Sequence, residues 1–143
     1  GTVVPVQNMV DGDLTLTAAH SGKYIIVAHA FTSGAKTLTL PSPENGLHYT
    51  VKISVDLAQD LKIKAPGADQ FFEGAVTWAD QDADTTSQNS NIKAVISDAK
   101  EGILIDADTE AGSWVDLVCD GTTWFISGTI YSDTAPSYIE YNA

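Results

Sequence analysis

Apolar residues recur at every second position through most of this chain, a period that admits β-strands and little else. Across Tyr49–Val55, the residues Tyr49, Val51, Ile53 and Val55 alternate with Thr50, Lys52 and Ser54, as in a strand with one buried and one wet face. The stretch Ser113–Gly128, SWVDLVCDGTTWFISG, carries the pattern twice: Val115, Leu117 and Cys119 share one face, and Trp124 and Ile126 share another. Between them stands Asp120-Gly121, a hairpin signal because glycine tolerates the positive φ that a tight connection between right-twisted strands requires. Thr37–Leu40 alternates and then stops at Pro41, whose missing N–H bars continuation of a central ladder. Further strands are predicted at Leu14–Thr17, Lys23–Ala30, Asp60–Ala65, Gly74–Trp78, Asn91–Ser97 and Ile103–Asp106. Short strands punctuated by turn residues predict an all-β fold, a single-domain antiparallel β-sandwich or barrel-like fold with extended N- and C-terminal arms. No segment carries a sustained helical stripe. Thr17–Gly22 has room for one turn, and Lys93–Lys100 is the other stretch where helix is worth seeking.

A chain of 143 residues is the size of one domain. It is long enough to bury roughly 70% of the surface its unfolded form exposes. Charge narrows the function classes further: 19 acidic residues face 7 basic ones, all lysine, for a net charge of −12. Such a surface is repelled by phosphate backbones and by anionic membranes, so neither nucleic acid nor membrane is an expected partner. The single Cys119 allows no internal disulfide, and its place beside Val118 and the turn reads as a small buried hydrophobe. The longest apolar run, Tyr24–Ala28, has the length of a strand, so no transmembrane segment is expected.

Two kinds of segment break the alternation. Asp80–Ser90, DQDADTTSQNS, reads as an exposed loop. The ends lack clean alternation yet carry large apolar residues, which divides the chain into an N-terminal arm (1–10), a β-domain (11–130) and a C-terminal tail (131–143). Val3, Val4, Val6 and Met9 in the arm, and Tyr131, Tyr138, Ile139 and Tyr141 in the tail, are the residues expected to meet partners. The same residues would equally serve to cover the domain's own edges.

Catalytic chemistry is not evident in the sequence. Asp80, Asp82 and Asp84 open like a calcium-binding loop, but Thr85 stands where the sharp turn requires glycine and Asn91 where a bidentate glutamate belongs. Asp106, Asp108 and Glu110 are spaced along one side of an extended segment, with nothing to place any two across a sugar-sized cleft. His20, His29 and His48 are dispersed and lack metal-ligand spacing, and no GxSxG or phosphate-loop motif is present. No enzyme activity, cofactor or metal is therefore expected. Trp78, Trp114 and Trp124 suit either a sugar platform or core and subunit contacts, and alternation within strands favours the latter.

The order of three motifs carries a resemblance. LTAAHSGKYIIV (Leu16–Val27), TLTLPSPENGLHYTVKI (Thr37–Ile53) and GSWVDLVCDGTTWFISG (Gly112–Gly128) together resemble the capsid decoration, or cement, proteins of tailed bacteriophages and related virion β-domains. The resemblance spans Leu14–Gly128 and rests on a strand after SGK, a TLP strand end followed by GL and an aromatic, and a terminal DGTxW hairpin. It implies a non-enzymatic virion protein on the outer capsid surface, a homotrimer that bridges major capsid protein subunits. Val3, Val4, Val6 and Met9 are then the expected capsid-docking residues, and Tyr131, Tyr138, Ile139 and Tyr141 the expected subunit contacts. The alternative is a phage fibre or adhesin domain that binds host glycans through Trp78 or the Asp80–Ser90 loop.

Overall fold

Strands take up nearly all the regular structure of the computed structural model, which describes residues 3–68, 70–80, 92–96, 100–134 and 136–139. Of Asp80, residues 92–96, Tyr138 and Ile139 the backbone alone is described. In chain order the strands are β1 (Val6–Met9), β2 (Leu14–Thr15), β3 (Tyr24–Val27), β4 (Lys36–Thr39), β5 (His48–Ile53) and β6 (Leu61–Lys64). They continue as β7 (Phe72–Asp80), β8 (Ile92–Ile96), β9 (Gly102–Ile105), β10 (Trp114–Cys119), β11 (Trp124–Ser132) and β12 (Ser137–Ile139). One 3-10 turn, Ala18–His20, sits between β2 and β3, where the sequence left room for a single turn.

The strands form a seven-stranded sheet, β1-β3-β5-β10-β11-β7-β8, and a five-stranded sheet, β12-β9-β6-β4-β2. From β1 to β6 successive strands alternate between the two sheets. Each return to a sheet therefore runs in the same direction as the strand before it, and β1, β3 and β5 are mutually parallel, as are β2, β4 and β6. The second half inserts antiparallel strands: β10 pairs with β5 and β11, β9 with β6, and β8 with β7. The all-β, two-sheet architecture matches the expectation, but the sheets are mixed and not antiparallel. Alternation within a strand records which face is buried, not the direction of its neighbour.

One core lies between the sheets. From the seven-stranded sheet come Ile25, Val27, Tyr49, Val51, Val115, Leu117, Cys119, Trp124 and Ile126, and from the other Leu38, Leu61, Ile63, Ile103 and Ile105. Burying each large side chain stabilises the fold by about 1.5–3 kcal/mol relative to leaving it in water. Part of the acidity is structural. Asp13 accepts a hydrogen bond from the Thr37 N–H (2.8 Å), Asp60 from the Ala107 N–H (2.8 Å) and Asp56 from the Ala111 N–H (2.9 Å), so these carboxylates pin the loops between strands.

The ends depart from the expected arms. Val6–Met9 is a strand paired to β3, and Met9, 1% exposed, is a core residue that no partner can reach, so it is not a docking residue. Tyr131 completes β11, and residues 137–139 form an edge strand on β9, so the domain extends past residue 130. Ile92–Ile96 is a strand on β7, which leaves no helix across the described part of Lys93–Lys100. Tyr141 and the Asp82–Ser90 segment lie outside the described residues.

Candidate interaction face on the seven-stranded sheet

The two faces of the seven-stranded sheet differ in kind. Inward positions of β5, β10 and β11 fill the core, so pleating sends His48, Thr50 and Lys52, then Trp114, Asp116 and Val118, then Phe125, Ser127 and Thr129 outward. Tyr24 and Ile26 of β3 and Val6 of β1 continue the same face, because Val6 pairs with Tyr24, Tyr24 with Thr50 and Thr50 with Asp116 across the ladder. Tyr131, between the buried Ile130 and Ser132, projects from the same side of β11.

Several polar groups on this face are paired with one another or with its rings. Asp116 accepts the Thr50 hydroxyl at 2.7 Å with the same oxygen that lies 2.7 Å from His48 Nε2. The Lys52 ammonium stands 5.8 Å from the Tyr24 ring centre and 5.7 Å from that of Trp114, within cation–π range of both. The apolar groups are left open: Val118 and Phe125 face each other across the β10–β11 ladder and are 40% and 44% exposed. Val6, at the sheet's edge, is 50% exposed.

The tryptophans divide. Trp78 is buried and donates its indole N–H to the Ser132 carbonyl at 3.0 Å, so it offers no sugar platform. Trp124 lies wholly in the core with its ring centre 5.9 Å from that of Tyr49, and its indole N–H has no hydrogen-bond partner. Trp114, half-buried, alone reaches the open face. Of the expected docking residues, Val3, Val4 and Val6 are exposed beside the β1 edge, and of the expected subunit contacts Tyr131 belongs to the open face described above.

Among the described residues the carboxyl groups form no second centre. Asp56 and Glu110 hydrogen-bond to each other; the Ala111 N–H holds Asp56 below the usual carboxylate range, while the Asp56 contact pushes Glu110 above it. Asp56 is exposed and Glu110 half-buried, and both lie in loops. Asp106 is raised by burial and by the nearby Asp60. Among the described residues no three His, Cys, Asp or Glu side chains are grouped to hold a metal ion.

No protein-family model matches this chain, and no curated protein matches it. The resemblance to virion β-domains rests on the order of its motifs alone. Sequence reasoning passed over Val118, Phe125, His48 and Asp116, although the signal was legible. In YIIV the outward Tyr24 and Ile26 are as apolar as the inward Ile25 and Val27, the mark of a strand covered on both faces.

Proposed function

We propose that this chain is a non-enzymatic virion structural protein that decorates and stabilises the outer surface of a tailed-phage capsid, bridging major capsid protein subunits as a homotrimer. The observation that carries this reading is the segment Val3–Val10, VVPVQNMV. It bears no charge in a protein of net charge −12, and it exposes Val3 (89%), Val4, Val6 and Val10 along the open edge of the seven-stranded sheet. An uncharged apolar edge on a rigid two-sheet core suits a clamp laid across a seam between larger subunits.

Co-sedimentation with purified empty capsids tests this. The wild-type chain should pellet with capsids, and the Val3→Ser/Val4→Ser variant, which leaves Met9 and β1 in place, should bind at least about tenfold more weakly, a change of about 1.4 kcal/mol. Equal binding by the variant removes the edge from the mechanism, and no binding by the wild type removes the reading. The glycan-binding alternative draws support from one place, Lys52 between two aromatic rings on an open face. A glycan array that returns one sugar class, lost on Trp114→Ala, would favour it instead.

A further inference from the structure

We infer that the open face of the seven-stranded sheet is the surface through which copies of this chain meet one another. This deepens the homo-oligomer proposed above by assigning its contact.

Three observations converge on a second copy as the occupant. The first is the strand chemistry. The β1-β3-β5 portion is parallel, and parallel sheets are ordinarily covered on both sides; here the core covers one side, while Tyr24 and Ile26 leave the other apolar. The second is charge. Two copies at net charge −12 repel each other over most of their surfaces. On this face the outward positions of β1, β3, β5, β10, β11 and β7 hold one lysine, Lys52, and two carboxylates, Asp116 and Glu73, the latter paired with Phe125, a small share of the chain's acidity. Asp116 is already hydrogen-bonded inside the chain by Thr50 and His48, and the Lys52 ammonium stands near two rings, so this face costs less to desolvate than the rest of so acidic a surface.

The third is size. Seven strands about 4.8 Å apart and about six residues long give a projected face of roughly 600 Å². That is the lower bound of a specific contact per partner. Val118 and Phe125, paired across β10 and β11, are the apolar centre of that area, and Tyr131 marks its end.

Sedimentation velocity and light scattering over a range up to about 100 µM read the outcome directly. The wild-type chain should show the mass of more than one copy. Val118→Glu/Phe125→Glu should raise the dissociation constant at least about tenfold with an unchanged β-sheet circular dichroism spectrum. Ser127→Glu, on an exposed position of the same face and opposite Asp116, does the same by like charge without touching the core, which guards against a variant that fails to fold. A monomeric wild type across the range, or an oligomer indifferent to both variants, overturns the inference. Pelleting with capsids separates the two proposals. A face variant that keeps its oligomeric mass but no longer pellets overturns this assignment and leaves the capsid reading standing. A face variant that becomes monomeric, from a wild type that never pellets, supports this assignment and removes the capsid reading.

Discussion

At the scale of single residues, backbone proximity sets the sharpest constraint. Gly128, with φ of 151°, pairs with Val115 of β10, and a Cβ there would collide with the Trp114 carbonyl oxygen and lie 2.9 Å from Val115 Cα. Both obstacles are main chain at the centre of a sheet, so neither can rotate away. Gly128→Ala should therefore cost about 3 kcal/mol in urea unfolding, whereas Gly12→Ala, with open space around it, should stay within about 0.5 kcal/mol. A Gly128→Ala variant as stable as the Gly12→Ala variant would mean that the sheet yields more readily than its geometry says. Tyr49 supplies a second residue-scale test. Its phenol donates to the Thr17 carbonyl at 2.7 Å, and burial, then Glu44 and Cys119, push its pKa from 10.0 to about 12. The folded state keeps that proton where the unfolded chain has released it. The contribution is thus whole below pH 10 and is lost as pH rises towards 12, so stability should fall through that window, and Tyr49→Phe should flatten the fall. Alkaline urea titrations of both proteins, paired with phenolate absorbance, measure it.

Among elements, the β10–β11 hairpin shows how much of this fold was legible and where legibility ended. Alternation located both strands and their buried faces correctly. The connection is longer than the Asp120-Gly121 dipeptide suggested: Cys119 pairs with Trp124, and the aspartate carboxylate accepts the N–H groups of Thr122 (2.9 Å) and Thr123 (2.8 Å). The Thr123 N–H first, and Thr122 next, hold the Asp120 carboxyl below its ordinary 3.8. A depressed carboxylate contributes stability above pH 3.8 that is lost as pH falls through its folded value. The Asp120 carboxyl carbon should accordingly titrate below 3.8 by NMR, and Asp120→Asn, which keeps an acceptor oxygen, should remove that acid step from the hairpin's unfolding. A midpoint at or above 3.8 would show that the turn does not hold the carboxylate. What the sequence could not disclose was strand direction, because Tyr24–Val27 and Thr37–Leu40 read identically whether their neighbours run with them or against them. The edge strands were hidden for a different reason. Val6–Met9 reads apolar-polar-polar-apolar, which breaks the period of two, and Ser137–Ile139 is only three residues long, so both read as arms. The open face escaped because Val118 and Phe125 are apolar at outward positions of a hairpin whose inward positions had already accounted for its hydrophobicity.

For the molecule as a whole, β1 joins the fold to its proposed function, and that makes truncation informative. Removing residues 1–5 leaves the residue pairs Val6–Tyr24 to Met9–Val27 in place and forfeits one hydrogen bond, from the Tyr24 N–H to the Pro5 carbonyl, while removing 1–10 takes out the edge strand together with the buried Met9. Loss of a core methionine alone costs about 2–5 kcal/mol, so the longer deletion should lower unfolding free energy by at least about 3 kcal/mol and the shorter by under about 1 kcal/mol. The longer deletion has a second consequence. It converts β3 into an edge strand with apolar residues on both faces, a template for strand addition between molecules, and turbidity on concentration should rise. Failure of the 1–10 deletion to bind a capsid would therefore say nothing about docking. The 1–5 deletion, which takes Val3 and Val4 from a sheet that keeps its β1–β3 residue pairs, is the form in which a loss of capsid binding identifies the edge as the docking element. Equal stability of the two truncated proteins would show instead that β1 is held weakly, and the edge would then be an arm after all.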